Sequence, residues 1–250
     1  MTTPTPRPLI VYAGHQDDEL LWSWLVIVHH LLVGRRVIVV LATDGSTTTA
    51  LDMLNGQRAS GWWPTSWHRP APGYEQYAPL TTADVAASRD AEMTDSCLQL
   101  GILPEDIRLE TDWRQPTLTP ERARELILRY HREYPDAGHY ATWWGDTDPT
   151  HAALGEALRG LVRDGTLTDA RWLVRRTQAT SAEAVAAGVV QYTAPDDVKA
   201  EALRRARAGL ECYRAWAPRA GRFAVGYHSV STEMEAVRQG APNWIIRTAN

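Results

Sequence analysis

Short unbroken apolar runs alternate along this chain with stretches of helical periodicity. Residues 9–12 and 37–41 (VIVVL) are continuous apolar runs and read as strands buried on both faces. Between them, residues 20–33 are apolar almost throughout, which predicts a helix buried nearly all round, against a sheet or a second subunit, and closed by Gly34. The block is short for a membrane span and carries Ser23, His29 and His30. Residues 82–100 place Ala86, Met93, Cys97 and Leu100 on one helical stripe with Gly101 as C-cap. Thr119-Pro120 starts another helix, with Ala123, Leu126, Ile127 and Tyr130 facing inward. Strands are predicted at 107–110, 140–144 and 171–176, and a helix opens at Asp148-Pro149. Two helical stretches, near 181–187 and 195–213, precede late strands at 223–227 and 244–247, at an edge or paired with one another.

Strands and helices in alternation predict an α/β fold of Rossmann-like kind: three α/β/α layers around a mainly parallel sheet. The chain of 250 residues fits one domain, with a core over about 8–176 and a variable part over about 177–250. No internal repeat or linker interrupts it. Residues 46–80 lack periodicity and hold Trp62, Trp63, Trp67, His68, Tyr74 and Tyr77 among Gly and Pro, a long aromatic-rich insert of the kind that is usually functional. Its aromatics, Trp63 among them, either pack a local core or wall a flat ligand such as a sugar.

A net charge of −4 and a pI near 6.1 offer no electrostatic grip on nucleic acid or an anionic membrane. Cys97 and Cys212 fall inside predicted helices and give no disulfide framework, so a reducing cytoplasm is the plain expectation. The first residues, MTTPTPRP, have no apolar segment of the signal-peptide type. Homo-oligomerisation stays open.

The chemistry begins just after the first strand, where His15, Asp17 and Asp18 crowd a strand-to-helix turn. One Asp there is an ordinary N-cap, and acidic residues suit a helix start. Capping needs only one, and two carboxylates beside an apolar strand repel and pay desolvation without a cation. Asp44, Asp112 and His151 each follow a different predicted strand closely, so right-handed crossovers bring all of them to the rim that holds His15. Two His and one carboxylate with an open fourth place is a common ligand set for a divalent ion. His15, Asp18 and His151 supply it, and Asp17 is left beside the metal as a general base. Metal coordination lowers the pKa of water from about 15.7 to about 7, which accounts for most of the activation. His29, His30, His131 and His139 read as structural or exposed, and His68 and His228 as candidates for the pocket border.

These residues resemble the PIG-L/LmbE-like de-N-acetylases, zinc enzymes whose signature Ala-His-Pro-Asp-Asp-Glu stands here as Gly14-His15-Gln16-Asp17-Asp18-Glu19. The likeness continues through Thr43-Asp44-Gly45, Arg89 to Glu92 before Leu100-Gly101, Asp112, and Asp148-Pro149-Thr150-His151, over about the first 160 residues. It implies one zinc per chain on His15, Asp18 and His151, Asp17 as base, and Arg89 and Asp112 holding sugar hydroxyls. Asp148 replaces the family's His for the tetrahedral oxyanion, a role a carboxylate cannot fill unless protonated, and so it reads as an N-cap at the substrate side. Catalysis then leans on zinc for the oxyanion and on Asp17 for both proton transfers, or else another donor, from the aromatic insert or near His228, completes the site. The expected reaction is hydrolysis of an N-acetylated amino sugar, on a larger and partly apolar scaffold such as a glycosylated natural product, with release of acetate. A thiol-conjugate amidase of the mycothiol or bacillithiol kind and a decayed sugar-binding homologue are the alternatives. A dinucleotide-binding oxidoreductase lacks its G-x-G-x-x-G after the first strand.

Overall fold

The structure, a computed structural model, describes residues 7–248, so most of the N-terminal stretch considered above lies outside the described residues. β1 (Leu9–Ala13) and β2 (Val37–Leu41) are buried at every position, as their unbroken apolar runs require. They pair in parallel, from Leu9 beside Val37 to Ala13 beside Leu41. β3 (Ile107–Arg108) lies outside β2, while β4 (Gly138–Thr142) and β5 (Ala170–Val174) extend the sheet beyond β1. The parallel strands therefore stand in the order β3-β2-β1-β4-β5. Winding reverses between β1 and β4, and such a reversal opens a crevice beyond the carboxyl ends of the two strands.

Side chains alternate across the strands and divide the core in two. Leu9, Val11, Val39 and Leu41 join one apolar cluster, and Ile10, Tyr12, Ile38 and Val40 join the other. The first is covered by α1 (Asp18–Leu21), α2 (Trp24–Leu32), α4 (Thr82–Leu100) and α8 (Asp196–Tyr213). The second is covered by α5 (Pro120–Glu133), α6 (Pro149–Arg163) and α7 (Ala182–Ala186). The three-layer α/β/α arrangement follows. Thr81, Thr119 and Asp148 cap α4, α5 and α6 through their side chains, and Gly101 ends α4 in the left-handed conformation.

Several details depart from the sequence pattern, among them β3, which stops at Arg108 and does not reach Glu110. The apolar block 20–33 is two helices, broken at Trp22-Ser23 where the Ser23 hydroxyl bonds back to the Glu19 carbonyl at 3.0 Å. β4 begins earlier than expected because Gly138 and His139 sit in register with Leu9 and Ile10, a pairing their polarity hides. β5 ends at Val174 and leaves Arg175 beyond the strand. Residues 225–227 are helix: only β8 (Arg222–Phe223) is extended, paired with β7 (Trp216–Ala217), and α9 (Val225–Arg238) follows. The start of α9 is capped from far away, by the Glu92 carboxylate accepting the N–H groups of Val225 and Gly226 at 2.8 and 2.9 Å. β9 (Trp244–Arg247) accordingly pairs with β5 and with β6 (Val190–Gln191), antiparallel to both. Among the described residues no helix is long and apolar enough to cross a membrane.

The insert holds a short helix, α3 (Ala50–Leu54), and otherwise irregular chain. Ala50, Leu54 and Tyr77 form a small core with Val85, Phe223 and Val225. Trp63 packs in tilted contact with His68 and Trp216 at ring separations of 4.3 and 4.4 Å, so these aromatics pack the insert onto the C-terminal part.

Candidate active site at the sheet crevice

After β1 the chain turns through Gly14 to Asp17 into α1. The His15 N–H donates to Asp18 Oδ2 at 2.9 Å, and the Asp17 carbonyl accepts from Leu20 and Leu21. Asp17 takes a φ of 144°, a sparsely populated conformation of the kind that persists where surroundings over-determine it. Gly14 has no room for a side chain, because a Cβ there would lie 2.6 Å from Cδ2 of His151. Gln16 is buried and donates to the Asp44 carbonyl at 3.0 Å and to Asp90 at 2.8 Å, which ties this turn to the exit of β2.

On the other side of the crevice, Asp148 Oδ1 accepts from the N–H groups of Thr150 and His151 at 2.9 and 3.2 Å and sets His151 in the first turn of α6. His151 Nε2 then lies 3.0 Å from His15 Nδ1 and 3.0 Å from Asp18 Oδ2. One ligand atom from each of His15, Asp148 and His151 lies within 4.8 Å of the others. Two imidazoles and two carboxylates thus converge from β1 and α6, the nitrogen and oxygen set that suits a borderline divalent cation. The far nitrogen of His151, Nδ1, is 3.2 Å from Asp146 Oδ2. Burial disfavours a charged ring, but Asp18 and Asp146 on its two sides outweigh it and raise His151 to about 10; a cation at Nε2 would take the place of that proton, with Asp146 orienting the ring.

Burial drives His15 down to about 4 against the pull of Asp18, so it is a neutral ligand at ordinary pH. Burial alone would raise Asp18, but the His151 imidazole holds it well below the usual carboxylate range. Asp17 goes the other way: burial pushes it up to about 8, opposed by Arg89. Arg89 reaches Asp17 at 3.3 Å, the Gln16 carbonyl at 3.0 Å and the Gly45 carbonyl at 3.1 Å. Two carboxylates next to one another in sequence thus differ in proton affinity, the usual condition for dividing ligand and proton-transfer work.

The cavity over these groups measures about 270 Å³. His15, Asp17, Asp18, Arg89, Asp148 and His151 line it together with Leu21, Trp22, Thr47 and Thr48. The C-terminal part supplies the remaining wall: α9 leaves helical geometry at Val230, and Ser229, Val230 and Glu233 face the cavity. The other predicted residues lie elsewhere. Asp44 accepts from the Ser46 N–H at 2.8 Å and shapes its own turn. Asp112 is exposed beside Trp113 and Arg129 in a separate depression. Trp63 belongs to the aromatic packing described above, and His228 lies buried with Nε2 2.6 Å from His68 Nε2.

Several residues of the cavity escaped the sequence: Thr47, Thr48, Ser229, Val230 and Glu233 among its walls, and two that touch His151. Asp146 is buried against His151, and Arg175 lines the cavity with Nη2 2.9 Å from His151 Nδ1. Both follow a strand end on the same rim. That position was the available signal, and Arg175 was hidden by the expected length of β5.

No family model matches the sequence, and no curated protein matches it. Solved structures do. The chain is similar to a triple mutant of the deacetylase involved in the teicoplanin biosynthetic pathway, at 11% identity and TM-score 0.61 over 97% of this chain and 99% of that one. It is similar to the A40926 pseudoaglycone deacetylase at 14% identity and TM-score 0.55, over 98% and 99%. It is also similar to the 4-carboxy-2-hydroxymuconate hydratase of Pseudomonas putida at 13% identity and TM-score 0.56, over 98% and 97%. At these identities the likeness shows the fold, one shared by enzymes of more than one reaction.

Proposed function

We propose that the chain is a metal-dependent hydrolase that removes the acetyl group from an N-acetylated amino sugar. The observation that carries this reading is the convergence of His15, Asp18, Asp148 and His151 on one point with Asp17 beside it. Zinc, one per chain, fits the donor set, with His15, Asp18 and His151 as ligands and Asp148 close enough to add an oxygen. When bound, the ion supplies Lewis acidity and a water of lowered pKa. Asp17 accepts the proton of the attacking water, and its raised affinity for that proton equips it to return it to the departing amine. Arg89 holds Asp17 in place.

At about 270 Å³ the cavity lies just below the ligand-pocket range of about 300–1,000 Å³, so it admits an acylated headgroup and leaves a larger scaffold outside. The similar structures named as glycopeptide deacetylases favour a sugar carried on such a scaffold. Metal analysis with acetate release from zinc-loaded protein, over a panel of N-acetylglucosaminyl conjugates, tests the reading. Asp17→Asn is expected to keep the metal and lose turnover, and His15→Ala to lose the metal. Absence of acetate release across the panel by metal-loaded protein would overturn it.

The similar hydratase favours a second reading, addition of the same activated water to a carbon–carbon double bond of a carboxylated substrate. Consumption of an unsaturated dicarboxylate without acyl release distinguishes it.

A further inference from the structure

We propose that Arg175 is a catalytic residue of this cavity, its guanidinium meeting the negative charge that forms on the acyl oxygen during hydrolysis. The inference rests on the hydrolase reading above. Position 148, where the family resemblance leads one to expect an oxyanion donor, holds a carboxylate with Oδ1 occupied by two backbone N–H groups of α6, so it offers the cavity oxygen and no hydrogen. A substrate oxygen gaining charge beside Asp148 needs a cation to offset both.

Arg89 and Arg175 bring positive side chains to the cavity. Arg89 spends its two terminal nitrogens on two backbone carbonyls and Asp17. Arg175 is placed differently. Its Nη2 lies 2.9 Å from His151 Nδ1 and 3.8 Å from Asp148 Oδ2, and 26% of its side chain remains exposed. Its Nε is buried 3.0 Å from Asp146 Oδ2, so charge holds the guanidinium in place, and Nη1 is left without a hydrogen bond among the described residues. The ring of Trp22, another cavity wall, lies 5.7 Å from its central carbon. Asp146, Asp148 and Trp22 thus aim a cation into the cavity without saturating it.

Water gives one proton to Asp17 as its oxygen bonds to the acyl carbon, and the carbonyl π pair moves to the acyl oxygen, where Arg175 donates a hydrogen bond. The pair then returns, the carbon–nitrogen bond breaks with its electrons on nitrogen, and nitrogen takes the proton from Asp17. The products are the free amine and acetic acid, which loses its remaining proton to solvent as acetate.

Loss of one such donor costs about 10²–10³ in kcat. Arg175→Met is therefore expected to lower kcat about 100-fold, with KM within about twofold and metal content unchanged. Arg175→Lys is expected to retain part of the rate, and added guanidinium to restore part of the Arg175→Met rate. A role confined to structure would reduce metal content or melting temperature and would not respond to guanidinium. Arg175→Met with wild-type kcat, or a loss confined to KM, or no guanidinium rescue, overturns the proposal. Should zinc-loaded wild-type protein release no acetate, the hydrolase reading fails by itself. Calorimetric titration of acetate into the zinc-loaded protein then still decides for Arg175: binding at least about tenfold weaker in Arg175→Met supports a cation facing the acyl site, and equal binding overturns it.

Discussion

A methyl group at residue 14 has nowhere to go, because the ring of His151 fills the space. Gly14→Ala is expected to push that imidazole off Asp18 and His15 and to weaken divalent-metal binding while leaving the fold intact. Competition with a chromogenic chelator reads this directly, and unchanged affinity would mean that His151 is not confined by the turn. Asp146→Asn tests the other nitrogen of the same ring. Removing the carboxylate that orients a metal-ligating histidine typically costs about 10–100-fold in affinity, so a loss in that range with unaltered circular dichroism is expected. The neighbours of these residues were legible in the sequence for a simple reason: His15, Asp17 and Asp18 crowd one turn, and a cluster of chargeable groups beside an apolar run demands an explanation. Asp146 is overshadowed by the helix cap Asp148 two residues on, Arg175 falls inside the run expected to be strand, and only the packing of β4 and β5 reveals that both touch His151.

Among the elements, α4, α5 and α6 declare their starts locally, through Thr81, Thr119 and Asp148 beside good helix-forming stretches. α9 does not. Its first turn is rich in residues that favour strands, and its cap is Glu92 on α4, more than a hundred positions earlier in the chain. Tertiary contact overrides local preference there, which is why the sequence pattern reads as a strand. The same buried cap makes stability depend on pH. Burial pushes the Glu92 carboxyl up to about 7, partly opposed by the two N–H groups it accepts. Between its ordinary value of 4.5 and 7 the folded chain keeps a proton that the unfolded chain has released, so this contribution is complete below 4.5 and is lost as pH rises through 7. Glu92→Gln cannot titrate. Its deficit relative to wild type in urea unfolding is expected to shrink by about 3 kcal/mol from pH 4.5 to pH 7, and a constant deficit would show that Glu92 is ionised throughout.

At the scale of the whole molecule, the candidate ligands stand on opposite sides of the point where the sheet reverses its winding. His15 and Asp18 follow β1, whereas Asp148 and His151 open α6 after β4. A cation held between them links the two halves of the fold without belonging to either, and the unfolded chain offers no preformed site. Binding therefore adds to folding stability by linkage, about 2.7 kcal/mol at a free-metal concentration 100 times the dissociation constant. For a chain of this size about 2–4 °C of melting temperature accompanies each kcal/mol, so zinc is expected to raise Tm by about 5–10 °C over a chelated sample. His15→Ala removes one ligand and should melt at the same temperature with zinc or with chelator. Scanning calorimetry on both proteins separates site-specific binding from general effects of the ion. A wild-type Tm indifferent to zinc, or an equal rise in His15→Ala, would show that the convergence at the crevice is held by its own hydrogen bonds and carries no metal.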